Sequence, residues 1–210
     1  MTLVVDALLV VGGVALGRWI VRRVRASRAP SPVDANATPA VEAASAAATD
    51  LPAGLPCRLG DVVLRPGVGD EVWLAGALVL AEERPIAVIF VAPEAGGDRA
   101  LFVRDVAGSG ITWLSPLPDG AIAPTKEPPH AIELDGVRFE RARRLPVRVS
   151  RVGTGAPSPG ERAIVAEYGG VGADRVLVLA GAERLLAWRG VALGEGEYEV
   201  LPGSESTREA

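Results

Sequence analysis

Glu82, Glu83, Asp105, Glu161 and Glu167 are the carboxylates of this chain that could supply acid–base chemistry. A pair of carboxylates does that work only when the fold holds them roughly 5–9 Å apart across a substrate. Nothing in their chain spacing imposes that separation, so they read first as strand-end charges. His130 is the only histidine. A general base needs a proton within hydrogen-bond reach and a partner that orients its ring. No Gly-x-Ser-x-Gly elbow accompanies His130, and Ser109 and Ser115 read as turn and strand-end serines. Cys57, the only cysteine, excludes an internal disulfide and any cluster of thiolates around a metal. Gly96-Gly97, Gly153-Thr154-Gly155 and Gly169-Gly170 lack the Lys and Ser/Thr that complete a phosphate loop. No motif names a reaction, and neither a cofactor nor a metal is expected.

Recognition chemistry is better represented. Trp73, Trp113, Trp188 and Tyr168 are the large aromatics beyond the N-terminal region, and such side chains supply rigid contact area. Trp113 and Trp188 read as equivalent core residues of two similar halves. Trp73, Glu167, Tyr168 and Arg151 are the candidate binding residues. Arg151 opens the segment Arg151–Gly160, the longest loop of the second half without a counterpart in the first, and loops are where binding function is added. Asp98-Arg99 and Asp174-Arg175 each follow a small or glycine-rich turn, so they read as turn chemistry.

The elements that must position these residues are short. The 210 residues are 49% hydrophobic, which is enough for a packed core, while 25 glycines and 17 prolines favour turns and short strands over long helices. The net charge of −4 and the absence of a basic domain argue against a nucleic-acid partner. Strands are expected at Asp61–Arg65, Val72–Ala81, Ile86–Ala92, Ala100–Val106 and Ile111–Ser115. A second set is expected at Ala131–Leu134, Val137–Arg141, Val147–Val152, Ala163–Tyr168, Arg175–Ala180, Leu185–Trp188 and Tyr198–Leu201. Regular short strands between turn signals indicate a barrel or sandwich, so the class is all-β. The two sets repeat a turn, a strand, a second turn and a tryptophan-bearing strand, from Arg84 to Leu114 and again from Arg162 to Arg189. This suggests two duplicated small β-units, residues 57–120 and 121–203, followed by a disordered tail at 204–210.

The N-terminus reads differently. Leu3–Val21 is apolar apart from Asp6 and Arg18, about the length of a bilayer-spanning helix. Leu3, Leu8, Leu9, Val10 and Leu16 supply its apolar surface, Gly13 and Gly17 form a G-x-x-x-G pair, and Trp19 stands where an interfacial aromatic is expected. Arg22 and Arg23 follow, with Arg25 and Arg28, and no acidic residue occurs before Asp34. A cleavable signal peptide carries its positive charge before the apolar stretch. The positive-inside rule therefore makes residues 1–25 a single-pass anchor in the cell membrane with everything downstream on the cytoplasmic side. Twenty-one of the 31 residues at positions 26–56 are Ala, Pro, Ser or Thr and none is aromatic, so this stretch reads as a disordered linker.

Several motifs carry a family resemblance. Leu59-Gly-Asp-Val-Val63, Val72–Ala81 and Trp113-Leu114 resemble the opening of a bacterial family known as domain of unknown function 4178. Asp135-Gly-Val-Arg-Phe139, Gly160-Glu161, Glu167-Tyr168 and Trp188-Arg-Gly190 resemble its closing portion, so the resemblance covers about residues 58–202. The chain departs from the family pattern at Ile86–Ala92, which is purely apolar where relatives often carry an aromatic and a carboxylate. The resemblance implies a β-rich bacterial domain associated with membrane or envelope functions, and no established activity.

The expected function is a membrane-tethered cytoplasmic β-domain, a non-catalytic module that binds a protein partner or a second copy of itself. The alternative is a hydrolase or small-ligand enzyme whose carboxylates meet only in three dimensions.

Overall fold

A computed structural model of the chain describes residues 51–94, 98–104, 110–123, 125 and 127–203. The expected membrane anchor, the linker up to residue 50 and the tail at 204–210 lie outside the described residues. So do Asp105 and Ser109.

Twelve strands account for the regular structure of the described residues, which contain no helix long and apolar enough to cross a membrane. They are β1 (Val62–Arg65), β2 (Asp70–Trp73), β3 (Gly76–Ala81), β4 (Pro85–Ala92), β5 (Arg99–Arg104) and β6 (Ile111–Pro116), then β7 (Ala131–Leu134), β8 (Val137–Gly153), β9 (Arg162–Gly169), β10 (Asp174–Gly181), β11 (Leu185–Leu193) and β12 (Glu199–Leu201). The all-β class holds. β3 to β6 form one antiparallel meander and β8 to β11 another. They join through β6–β11 and close through β3–β8, giving an eight-stranded barrel with β7 appended to β8. The two halves are therefore one body.

Side-chain alternation sorts the apolar residues into three layers. Leu78, Leu80, Ala87, Ile89, Ala100, Phe102, Leu114, Val147, Val165, Leu177, Leu179 and Trp188 come from all eight barrel strands and fill the interior. The intervening residues of β3 to β6, among them Val79, Phe90, Val103 and Trp113, point outward and are covered by the three-stranded sheet β12-β1-β2. Leu51 and Leu55 pack into this same outer layer. On the other side of the barrel, Phe139, Tyr168, Val176 and Val178 form a third layer with Ile122 of the connector, the proline-rich segment between β6 and β7.

Two expected elements differ in the structure. The single strand expected at Val72–Ala81 breaks at Leu74-Ala75, where the chain leaves the small sheet and enters the barrel. Leu74 N donates to Asp61 O (2.9 Å) and Ala75 N to Val91 O (3.1 Å), so the break satisfies one sheet with each amide. Conversely, the two strands expected at Val137–Arg141 and Val147–Val152 are one 17-residue strand, β8. Pro146 lies within it, although a proline has no N–H to give to a ladder. Val149 N donates across to the β9 side, at Glu161 O (2.9 Å), so the nitrogen of Pro146, three residues earlier, faces the opposite edge. There β7 pairs only with residues 137–140 and β3 only with 148–153. The missing N–H therefore costs no ladder bond.

Trp113 and Trp188 are both buried, but they lie in different layers, Trp113 outside the barrel wall and Trp188 within it. They are not equivalent positions.

Candidate functional site

The barrel interior is apolar except at one end. On β5, Ala100, Phe102 and Arg104 share the inward face, and on β9 Ala163, Val165 and Glu167 do the same. The last residue of each series is charged, and the two meet. Arg104 Nε donates to Glu167 Oε2 at 3.1 Å, and Arg104 Nη2 donates to the same oxygen. Glu167 is the more enclosed partner, with its side chain 14% exposed against 39% for Arg104. They line a cavity of about 570 Å³ with Thr112, Arg175, Phe102 and Leu177, rimmed by Gly169, Gly170 and Gly172. Arg175 is anchored by backbone carbonyls, its Nη1 donating to Gly172 O (2.9 Å) and Asp174 O (2.8 Å). Arg143 stands directly across from Glu167 in the β8–β9 register and is exposed. Among the described residues, the mouth thus presents arginines around the Glu167 carboxylate. Sequence reasoning found Glu167 and missed Arg104, whose signal was the alternation Ala100-x-Phe102-x-Arg104.

Among the described residues, Glu82 and Glu161 do not join it. Glu82 lies in a separate shallow depression with Pro146, Arg148 and Arg162. Glu161 sits at the start of β9, at the opposite end of that strand from Glu167. Among the described residues no group of three His, Cys, Asp or Glu side chains is placed to hold a metal ion.

Tyr168 is a structural residue. It is 1% exposed, its hydroxyl donates to Pro129 O at 2.8 Å, and burial pushes its pKa up. His130 sits next to this contact, with Nδ1 3.0 Å from Arg141 Nη2. A guanidinium only donates, so Nδ1 accepts and the ring proton belongs on Nε2. Glu127 receives both Arg144 Nε (2.5 Å) and Arg144 Nη2 (2.6 Å), and that pairing holds its carboxyl below the usual range. Together these contacts fasten the proline-rich connector to β8 and β9. They orient nothing toward a nucleophile.

The small sheet carries the exposed candidate. Asp61, 4% exposed, ties this sheet together by accepting Arg58 N (2.7 Å) and Gly203 N (3.0 Å). Cys57 lies beneath the sheet, where burial first and Asp61 second push the thiol up to about 12. Val63, Val72 and Val200 face the barrel, so the alternate residues face away. Register places Leu201, Val62 and Trp73 in one row across the three strands, and Glu199, Leu64 and Glu71 in the next. Trp73 is 57% exposed and Leu201 44%.

The four candidate binding residues are thus dispersed. Trp73 is on the small sheet, Glu167 in the barrel mouth, Tyr168 under the connector, and Arg151 exposed near the end of β8 opposite Leu78. No protein-family model matches the chain, and neither a curated protein nor a solved structure matches it significantly.

Proposed function

We propose that the chain is a membrane-tethered binding module, with an N-terminal single-pass anchor, a linker and a cytoplasmic β-domain that engages a protein surface without performing chemistry. One observation carries the binding part: Trp73 stands exposed in an apolar row with Val62 and Leu201. A fold that encloses Trp113, Trp188, Phe90 and Tyr168 has the means to bury aromatics, so leaving one in water marks a contact surface. The packed apolar middle of the barrel agrees with a module that works through its outside. The tether itself rests on the apolar Leu3–Val21 segment and the arginines that follow. The two four-strand meanders support reading the domain as a duplicated unit.

A second reading is favoured by the cavity at Arg104 and Glu167, which has room for a small ligand. Its carboxylate is already engaged by arginine, which suits holding a ligand more than moving a proton.

Fractionation tests the tether. The full chain stays in the membrane pellet after washing with high salt, while a chain lacking residues 1–30 appears in the supernatant. Release of the full chain by salt overturns the reading. Orientation is read with Val171→Cys, because Val171 is 81% exposed whereas Cys57 is buried. Protection of that cysteine from an impermeant maleimide in intact cells, with labelling after lysis, places the domain inside.

A further inference from the structure

We infer that the cavity at the barrel mouth binds a small organic monocarboxylate on Arg104 and Arg175, with Glu167 as the built-in competitor for Arg104. The inference rests on the small-ligand reading of this cavity and names the ligand's chemical class.

The charged pair crosses the barrel. From β5 the ring of strands runs through β6, β11 and β10 to β9 in one direction, and through β4, β3 and β8 to β9 in the other. The two strands therefore stand opposite one another, and Arg104 and Glu167 meet over the lumen rather than along the wall. Phe102 and Leu177 lie deeper on the inward faces and form an apolar floor. Only side chains hold this bridge. It opens when another anion takes the guanidinium, and no strand pairing breaks.

The lining has the room and the charge for that anion. A volume of about 570 Å³ suits a small organic ligand. Among the described residues the lining holds Arg104 and Arg175 against Glu167, one positive charge in excess, in a chain whose net charge is −4. That excess matches a monoanion. Arg175 is the fixed member. Its Nη1 is held by Gly172 O and Asp174 O, and its guanidinium has no carboxylate partner among the described residues. The rest of this planar donor group is left to receive a carboxylate. Thr112, across from Phe102 in the β5–β6 register, adds a hydroxyl with no hydrogen-bond partner among the described residues. The apolar floor favours an organic acid over an inorganic anion.

Glu167 sets the threshold for entry. Its Oε2 accepts both Arg104 contacts, so an incoming carboxylate competes with it for one guanidinium. Neutralising Glu167 therefore strengthens ligand binding, which a purely structural bridge would not do.

The test is equilibrium dialysis of the full chain in phosphatidylcholine nanodiscs, with radiolabelled benzoate, benzamide and inorganic phosphate as probes and empty nanodiscs as background. Benzoate binds saturably at one site per chain, and benzamide and phosphate bind far more weakly. Arg175→Gln weakens benzoate by roughly tenfold or more, because a charged hydrogen-bonding partner is lost. Glu167→Gln tightens it by roughly tenfold, because a like charge beside the ligand is removed. Arg138→Gln, on an exposed part of β8, changes nothing. Thermal midpoints of the variants report that each is folded, and the gain in Glu167→Gln cannot arise from unfolding. Weaker benzoate binding in Glu167→Gln overturns the inference, as does phosphate binding as tightly as benzoate. Benzamide binding as tightly as benzoate also overturns it, but leaves the small-ligand reading in place. Binding of none of the three probes removes both.

Discussion

Trp113 and Trp188 lie 75 positions apart in sequence and pack on opposite sides of the barrel wall. Trp113 is roofed by the small sheet, with the Arg65 guanidinium 5.6 Å from its ring centre, while Trp188 fills the interior. Replacing either by Ala removes a large buried side chain at a cost of about 3–5 kcal/mol. The consequences differ in place. Trp188→Ala lowers the urea midpoint of the whole domain, whereas Trp113→Ala accelerates amide exchange first in β1, β2 and β12. Identical exchange patterns in the two variants would show that the layers are not separable.

Gly190 marks where the two meanders are stitched together. A Cβ at this position would collide with Trp113 O, across the β6–β11 pairing. The contact is with backbone, so relief requires the strands to separate. Gly190→Ala is expected to destabilise by more than about 3 kcal/mol or to prevent folding. Gly67→Ala, where nothing lies within 4 Å, leaves the urea midpoint unchanged. A Gly190→Ala protein with wild-type stability sinks this account of the seam.

The all-β class and most strand positions were legible because β-branched and aliphatic residues alternate between clear turn signals; the totals agree only because one expected strand is two and two expected strands are one. The layers were less legible. Asp98 and Asp174 are 76 positions apart, whereas the two tryptophans are 75 apart. In a strand, one residue of offset moves a side chain to the other face. A repeat read at nearly constant spacing therefore misassigned Trp113 and Trp188 as equivalent, although Phe90 and Tyr168, 78 apart, do both face outward. The charged mouth was hidden for a related reason. Arg104 and Glu167 are 63 residues apart, and only closure of the barrel makes them neighbours.

Cys57 gives the domain an alkaline weakness. Its thiol is raised from 9.0 in an open environment to about 12 in the fold, because burial penalises the thiolate. A raised acid leaves stability intact below pH 9 and removes it progressively between pH 9 and 12, at about 1.4 kcal/mol per unit. Tyr168 and Tyr198, both raised first by burial, act in the same direction. Urea midpoints measured from pH 8 to 11 should fall, and Cys57→Ala should flatten the part of the slope that begins near pH 9. An unchanged slope in that variant would assign the effect to the tyrosines. Native Cys57 should also resist maleimide at pH 7 and react once urea unfolds the chain.

The connector is held by side chains from the barrel's outer face, and its attachment can be separated from folding. Glu127 sits on Arg144 in a two-pronged contact and lies 3.9 Å from Arg141, which itself touches His130. Exposed ion pairs contribute little to global stability, so Glu127→Gln should leave the thermal midpoint almost unmoved. Amide exchange in residues 117–123 and 127–130 should nevertheless quicken, because one tie is lost while the Tyr168–Pro129 bond, Arg141, the Leu117 N–Ala187 O bond and buried Ile122 remain. The pH dependence has a definite sign. Arg144 keeps the Glu127 carboxyl below its ordinary value of 4.5, so the clamp is present above that pH and is lost as pH falls through the lowered value. Connector exchange in the wild type should therefore rise as the pH falls through that lowered value, while Glu127→Gln shows the faster rate at every pH. A mutant connector that exchanges as slowly as the wild type at pH 7 would leave Tyr168 and Arg141 as sufficient anchors and remove Glu127 from the clamp.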